Sequence, residues 1–224
     1  MIKQNIDAFV VDTAKEITDF MDKLEVNDMK LGIDISKGKK LRGALTVLIS
    51  KCINGDAVKA LEFASAVELI HLGSITHDDI LDEHETRRGT IPLNLLRGTK
   101  FAVITGDRLF ALATRLGSKS GNKAYAEVAE AMESVLSGAI KEISLREFIT
   151  DVSSGEIAGK FYYKMIGLKT ASLFKSAGRF GAMTCTGKES IVDDFGALGQ
   201  SIGTAYQIAD DLTDIIKIQI TLKK

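Results

Sequence analysis

One proline, Pro92, stands in 224 residues. Proline interrupts helices and interior strands, so its scarcity leaves long stretches free to run unbroken. Cysteine is almost missing as well. Cys52 and Cys185 give neither a disulfide framework nor the spacing of a metal site. An excess of charge of either sign is absent too. Lys plus Arg number 29 and Asp plus Glu 30, a net charge of −1, and so no field favours nucleic acid or an anionic membrane surface. No apolar run approaches the ~20 residues of a membrane span. The first residues, Met1-Ile2-Lys3-Gln4-Asn5-Ile6-Asp7, lack the apolar core of a secretion signal, which points to the cytoplasm. There is no internal repeat, linker or low-complexity segment. Nor is there a convincing Ser-His-Asp or Cys-His set for nucleophilic catalysis.

What remains is helical. Apolar residues, 45% of the chain, recur with helical rather than alternating period. The run from Ala57 to Leu72 is rich in good helix formers. Helices are predicted near 3–26, 39–53, 57–83, 100–117, 122–148, 153–166, 169–185 and 190–218. Breakers fall between them: Gly32, Asn54-Gly55, Gly89 with Pro92, Gly117 to Gly121, and Gly187. The expected fold is all-α: one single-domain helical bundle over 1–224, with the ligand site between facing helices.

Two acidic clusters of the same shape stand far apart. Asp78, Asp79 and Asp82 form one, and Asp210, Asp211 and Asp214 the other. On a helix, positions i and i+4 share a face. If the two helices face each other, six carboxylates converge and repel. Mg2+ relieves that repulsion by taking a few carboxylates together with phosphate oxygens. The second cluster lies in an otherwise apolar stretch, where carboxylates are costly unless paired or metal-bound. The first runs on into Arg87-Arg88, and guanidinium forks suit a diphosphate.

Six segments occur in an order that resembles the trans-isoprenyl diphosphate synthases, the polyprenyl synthetase family. They are Gly38-Lys39-Lys40-Leu41-Arg42, Glu68-Leu69-Ile70-His71, the block from Asp78 to Gly89, Gly106-Asp107, Lys169-Thr170-Ala171, and Tyr206-Gln207-Ile208-Ala209-Asp210-Asp211. The resemblance implies the isoprenoid synthase fold with a central active-site cavity. It also implies a prenyltransferase that joins an allylic diphosphate to isopentenyl diphosphate with Mg2+ as cofactor. The six aspartates would hold the metal. Gly38, Lys39, Arg42, His71 and Arg88 would grip isopentenyl diphosphate and Arg87 the allylic diphosphate, while Lys217, beyond Asp214, would add another diphosphate contact. Lys169, Thr170 and Gln207 would be catalytic, the lysine on the leaving diphosphate and the two oxygens near a developing carbocation. A homodimer is implied, with no nucleic-acid partner.

The same resemblance assigns chain length to Gly73 and Ser74, one turn below Asp78, and to Ile70 beyond them. All are small or aliphatic, and the first aromatic on that helix is Phe63, roughly 22 Å from Asp78. A C20 product is expected, with C15 or longer chains as alternatives and Phe101 or Phe110 as residues that could close the tunnel earlier. Gly43 stands where the family usually has proline, which suggests a looser backbone there. The chain stops ten residues after Asp214, where family members usually continue with a C-terminal segment. Two other readings share features of this sequence. A terpene cyclase would not need the acceptor residues Lys39 and Arg42, and a non-catalytic subunit of a heteromeric synthase would be expected to have lost aspartates.

Overall fold

The computed structural model describes residues 2–24, 33–87, 89–148 and 155–222, with side chains described at 3–24, 33–87, 89–144 and 159–217. The elements are α1 (Ile2–Lys23), α2 (Leu41–Cys52), α3 (Ala57–Leu81), α4 (Leu93–Arg97), α5 (Thr99–Lys119), α6 (Asn122–Phe148), α7 (Gly155–Ile166), a π-helical turn (Gly167–Ala171), α8 (Ser172–Met183) and α9 (Glu189–Leu222). Among the described residues there is no strand, only one isolated bridge between Arg87 and Thr90. The all-α expectation holds.

The centre of the bundle is α3. Asp56 caps it, its carboxylate accepting from the amides of Val58 and Lys59 at 2.9 and 3.1 Å. Every residue from Phe63 to Ile70 is buried, including Ser65 and Glu68. A helix apolar on all sides must be surrounded, and α1, α2, α5, α6 and α8 all pack on it. The Phe63 ring stacks on Phe180 with centroids 4.8 Å apart. Arg179 ties three helices together at the rim, donating to Glu127 on α6 and to Glu189 and Asp193 on α9.

Glycines set how closely the helices approach. A Cβ on Gly138 of α6 would lie 2.7 Å from the Lys169 amide nitrogen, and one on Gly203 of α9 would lie 2.8 Å from Ala171 Cα. The π turn is therefore gripped from both sides by helices that only glycine lets in so close. The sequence reading expected a break between residues 166 and 169. The chain instead continues helically through the extra-residue turn.

Candidate active site

At the first cluster, α3 reaches its C-terminus. Asp78 and Asp79 lie in the last turn and Asp82 is the cap residue, its amide still bonded to the Asp78 carbonyl at 2.8 Å. A helix C-terminus carries partial negative charge and favours cations, yet α3 has no basic residue in its last turn. Burial raises the Asp78 carboxyl above its ordinary value, and the charges of Asp82 and Glu142 add to this against the pull of Lys169. The helix end is thus an acidic site that lacks enough positive charge of its own.

Lys169 comes to it from the π turn. Its ammonium lies 3.3 Å from Asp78 Oδ2 and 2.5 Å from Glu142 Oε2. Burial works to lower the Lys169 pKa, but Glu142 and Asp78 outweigh it and hold the group above its usual value. The next residue, Thr170, faces the other way and donates to Gln207 Oε1 at 2.8 Å. Gln207 Nε2 in turn donates to Asp211 Oδ1 at 2.8 Å. Tyr162 of α7 donates to Asp211 Oδ2 at 2.5 Å. Burial and the adjoining Asp211 push the Tyr162 hydroxyl up to about 12. One π turn therefore links the two acidic motifs, Lys169 to the first and Thr170, through Gln207, to the second.

The aspartates divide into two kinds. Asp79 is buried and held by Arg87, whose Nε donates to Asp79 Oδ1 at 2.6 Å, with His84 at 3.3 Å. Asp211 has both oxygens engaged by Tyr162 and Gln207. Asp210 and Asp214 are exposed, Asp82 is partly so, and Lys217 sits 2.9 Å from Asp214. Among the described residues, no three acidic, histidine or cysteine side chains already stand together as a metal cage. The donors nonetheless fit a hard divalent cation in kind. They are carboxylate oxygens, one set at the negative end of α3 and the other along α9.

A second, basic site opens between the start of α2, α3 and Tyr206 of α9. A cleft of about 420 Å³ is lined by Gly38, Lys39, Arg42, Glu68, His71 and Tyr206, with Lys37 at its edge. This size is ordinary for a small-molecule pocket. Arg42 is buried, donates to His71 Nε2 at 3.2 Å and lies over the Phe174 ring at 4.7 Å. Gly38 has φ +94°, which its missing side chain permits. Lys40 also lines the cleft, its ammonium donating to the Ile35 carbonyl at 2.5 Å. Gly43 does not loosen the backbone as its sequence position suggested. Its amide donates to Glu68 at 2.9 Å, and a Cβ there would meet Ile17 at 2.7 Å. Proline would have no hydrogen to give that buried carboxylate.

The structure brings part of the predicted grouping together. Gly38, Lys39, Arg42 and His71 meet in the cleft. Lys169, Thr170 and Gln207 join the acidic motifs. Arg87 is bound to Asp79, beside a different, smaller cleft, and Arg88 lies outside the described residues. Gly73 and Ser74 are buried, and Ile70 is in the core. The space that Gly73 leaves is not empty, because a Cβ there would lie 2.8 Å from the Phe110 ring of α5. Two further residues stand in the site without being singled out in the sequence, Glu142 and Tyr162, and Glu68, quoted there only as part of a segment, was given no role. Glu142 follows Gly138 by four residues, so the glycine that admits the π turn also signals the carboxylate one turn on.

The Polyprenyl synthetase family matches residues 29–224, and the chain belongs to that family. It is 35% identical over 191 residues to the nonaprenyl diphosphate synthase of Mycobacterium tuberculosis, covering 85% of this chain and 55% of that one. The geranylgeranyl pyrophosphate synthetase structure from Pyrococcus horikoshii superposes with a TM-score of 0.83 at 26% identity, over 96% of this chain and 68% of that one. The polyprenyl synthase of Caulobacter crescentus, solved with calcium and isoprenyl diphosphate, gives 0.79 at 27% identity, over 92% and 64%. The chain spans less than two thirds of the length of the curated relatives it matches. Among the described residues, no helix is long and apolar enough to cross a membrane.

Proposed function

We propose that this chain is the catalytic part of a trans-prenyl diphosphate synthase, joining an allylic diphosphate to isopentenyl diphosphate. The observation that carries this reading is the adjacency of the two sites. Tyr206 lines the basic cleft, while its neighbour Gln207 belongs to the network that links the acidic motifs. An acceptor bound in the cleft would therefore lie next to a donor bound at the aspartates. A terpene cyclase has no use for that second site. A non-catalytic subunit has no use for six retained aspartates.

Asp78, Asp82, Asp210 and Asp214 would hold Mg2+, with Asp79 and Asp211, already bound to protein donors, fixing the geometry around them. The ion would supply charge neutralisation for the departing diphosphate. Lys169, already positioned by Asp78 and Glu142, adds a donor to the same oxygens. Arg87 and Lys217 add positive charge close by. As the allylic C–O bond breaks, positive charge grows on the allylic carbon. The oxygens of Thr170 and Gln207 face that charge and cost no reorganisation. Lys39, Arg42 and His71, with Arg88, hold the acceptor diphosphate so that its double bond reaches the cation. The new C–C bond forms, and a proton leaves to the released diphosphate.

We keep C20 as the product, reached with the Phe110 ring swung aside from Gly73. Incubation with labelled isopentenyl diphosphate, each allylic primer and Mg2+, followed by product sizing, tests both levels. Absence of any condensation would end the synthase reading for this chain. Phe110→Ala should leave the C20 length unchanged. If wild type stops short of C20 and Phe110→Ala lengthens the product, the ring is the floor and the C20 assignment fails.

A homodimer fits the exposed apolar side chains on two packed helices. Leu136, Ile140 and Ile143 recur at helical spacing on α6, and Val103 and Ile104 are exposed on α5. Two-fold dimers are the commonest soluble assembly. Sedimentation at micromolar concentration should give twice the chain mass, and a monomer there would refute it.

A further inference from the structure

Gln207 has two ends that are nearly the same shape and opposite in polarity. Its orientation matters more than its presence. Next to a growing positive charge the amide oxygen stabilises and the amide N–H groups repel. Nothing in the side chain itself selects between them, since a half-turn about its terminal torsion exchanges the two.

The surroundings select. A carboxylate only accepts hydrogen bonds, so the Gln207 atom 2.8 Å from Asp211 Oδ1 is the nitrogen. The oxygen is then committed to the Thr170 side, where the hydroxyl donates to it at 2.8 Å. Thr170 has spent its only hydrogen and presents lone pairs outward. The chain of commitments therefore begins at Asp211, and Asp211 is held by the Tyr162 hydroxyl at its other oxygen. Tyr162 comes from α7, across from α9, and both α7 and α9 pack against the π turn that carries Thr170.

We propose that Tyr162 is a positioning residue of the donor site, which acts through Asp211 to keep the oxygen of Gln207 turned toward the reacting allylic carbon. This rests on the donor-site reading given above. Tyr162 touches no reacting atom in it. Without the phenol hydroxyl, Asp211 loses the bond that fixes its plane and can turn out of reach of the Gln207 nitrogen; only then is the glutamine amide free to reverse. Binding of the intact allylic diphosphate, whose allylic carbon bears no charge, would change little. Stabilisation of the developing cation would fall.

The test uses the full chain with Mg2+ and two probes. One is an allylic diphosphate analogue with an ammonium nitrogen where the charge develops. The other is its uncharged carbon counterpart. Calorimetry gives the ratio of their affinities. Wild type should prefer the ammonium probe. In Tyr162→Phe that preference should shrink about tenfold or more, a fraction of what losing a whole preorganised group costs, while the uncharged probe binds within about twofold of wild type. The kcat should fall with the KM for isopentenyl diphosphate unchanged. Tyr163→Phe, an exposed neighbour whose ring lies 5.6 Å from Tyr162, should behave as wild type. Asp211→Asn keeps the shape of the side chain but accepts the glutamine either way round. It should lose the preference as Tyr162→Phe does, and it provides the measurement if the tyrosine variant folds poorly. An unchanged ratio in a folded variant overturns the proposal. So does equal weakening of both probes, which would make Tyr162 a structural or diphosphate contact. If wild type itself shows no preference, the donor-site reading fails and the proposal falls with it, a result separable from failure in the variants alone.

Discussion

Asp78→Ala and Asp210→Ala are each expected to lower turnover about 100-fold to 1,000-fold, the scale for losing one element of electrostatic stabilisation in an enclosed site, with the fold intact. Two features of the structure argue that these residues are present for chemistry rather than stability. Asp78 lies in the last turn of α3, where the helix dipole disfavours it, and burial with Asp82 and Glu142 nearby raises its carboxyl above the ordinary value. Asp210 is exposed. Truncating Asp78 relieves like-charge strain, and Lys169 keeps Glu142 as a partner at 2.5 Å. The melting temperature should therefore hold or rise while activity collapses. Excess EDTA should abolish condensation in the wild type, and added Mg2+ should restore it. Undiminished turnover in EDTA, or a large drop in melting temperature accompanying the lost activity, would refute the metal role.

The second large effect should appear at Arg42. Its guanidinium is buried at the basic cleft, fixed by His71 and by the Phe174 ring. Arg42→Ala removes a charged hydrogen-bond donor, a loss of roughly 1.5–3 kcal/mol, or about 10-fold to 150-fold in affinity. The KM for isopentenyl diphosphate should rise by that factor, and the KM for the allylic primer should stay within about twofold. Arg42→Lys keeps the charge but loses the planar fork and its stacking on Phe174. It should recover only part of the loss. A rise confined to the primer would mean that the two substrates had been assigned to the wrong sites.

The arrangement of helices was legible because its signals are local. The periodicity that predicts 57–83 reflects the same packing that buries α3, and α3 ends at Leu81, with Asp82 as its cap. The short α4, Leu93–Arg97, escaped notice because five residues after a proline carry too little pattern to register. The gap left between the helices predicted at 153–166 and 169–185 failed for another reason. Glycine marks a break only where nothing else holds the chain, and here Gly138 and Gly203 let α6 and α9 clamp the turn in helical form.

The site divides in the same way. The types of its groups follow from residue identity and spacing along one helix: hard carboxylates at i, i+1 and i+4, a basic run after Gly38, and a histidine two turns above Asp78. Those spacings hold wherever the helices pack, so the kinds of group along each helix could be read from them. Which aspartate faces a ligand and which is consumed by protein donors could not. Asp79 and Asp211 occupy the same place in their motifs, and each is bound by protein donors: Arg87 and His84, a few residues further on, for one, and Gln207, one turn back, with Tyr162 of α7 for the other. The space beside Gly73 looked open along α3 and is filled by Phe110 from α5. A helical repeat determines what a helix presents along its own length. What meets it there depends on how closely the neighbouring helices approach, and in this bundle glycines on α6 and α9 set that approach around the π turn.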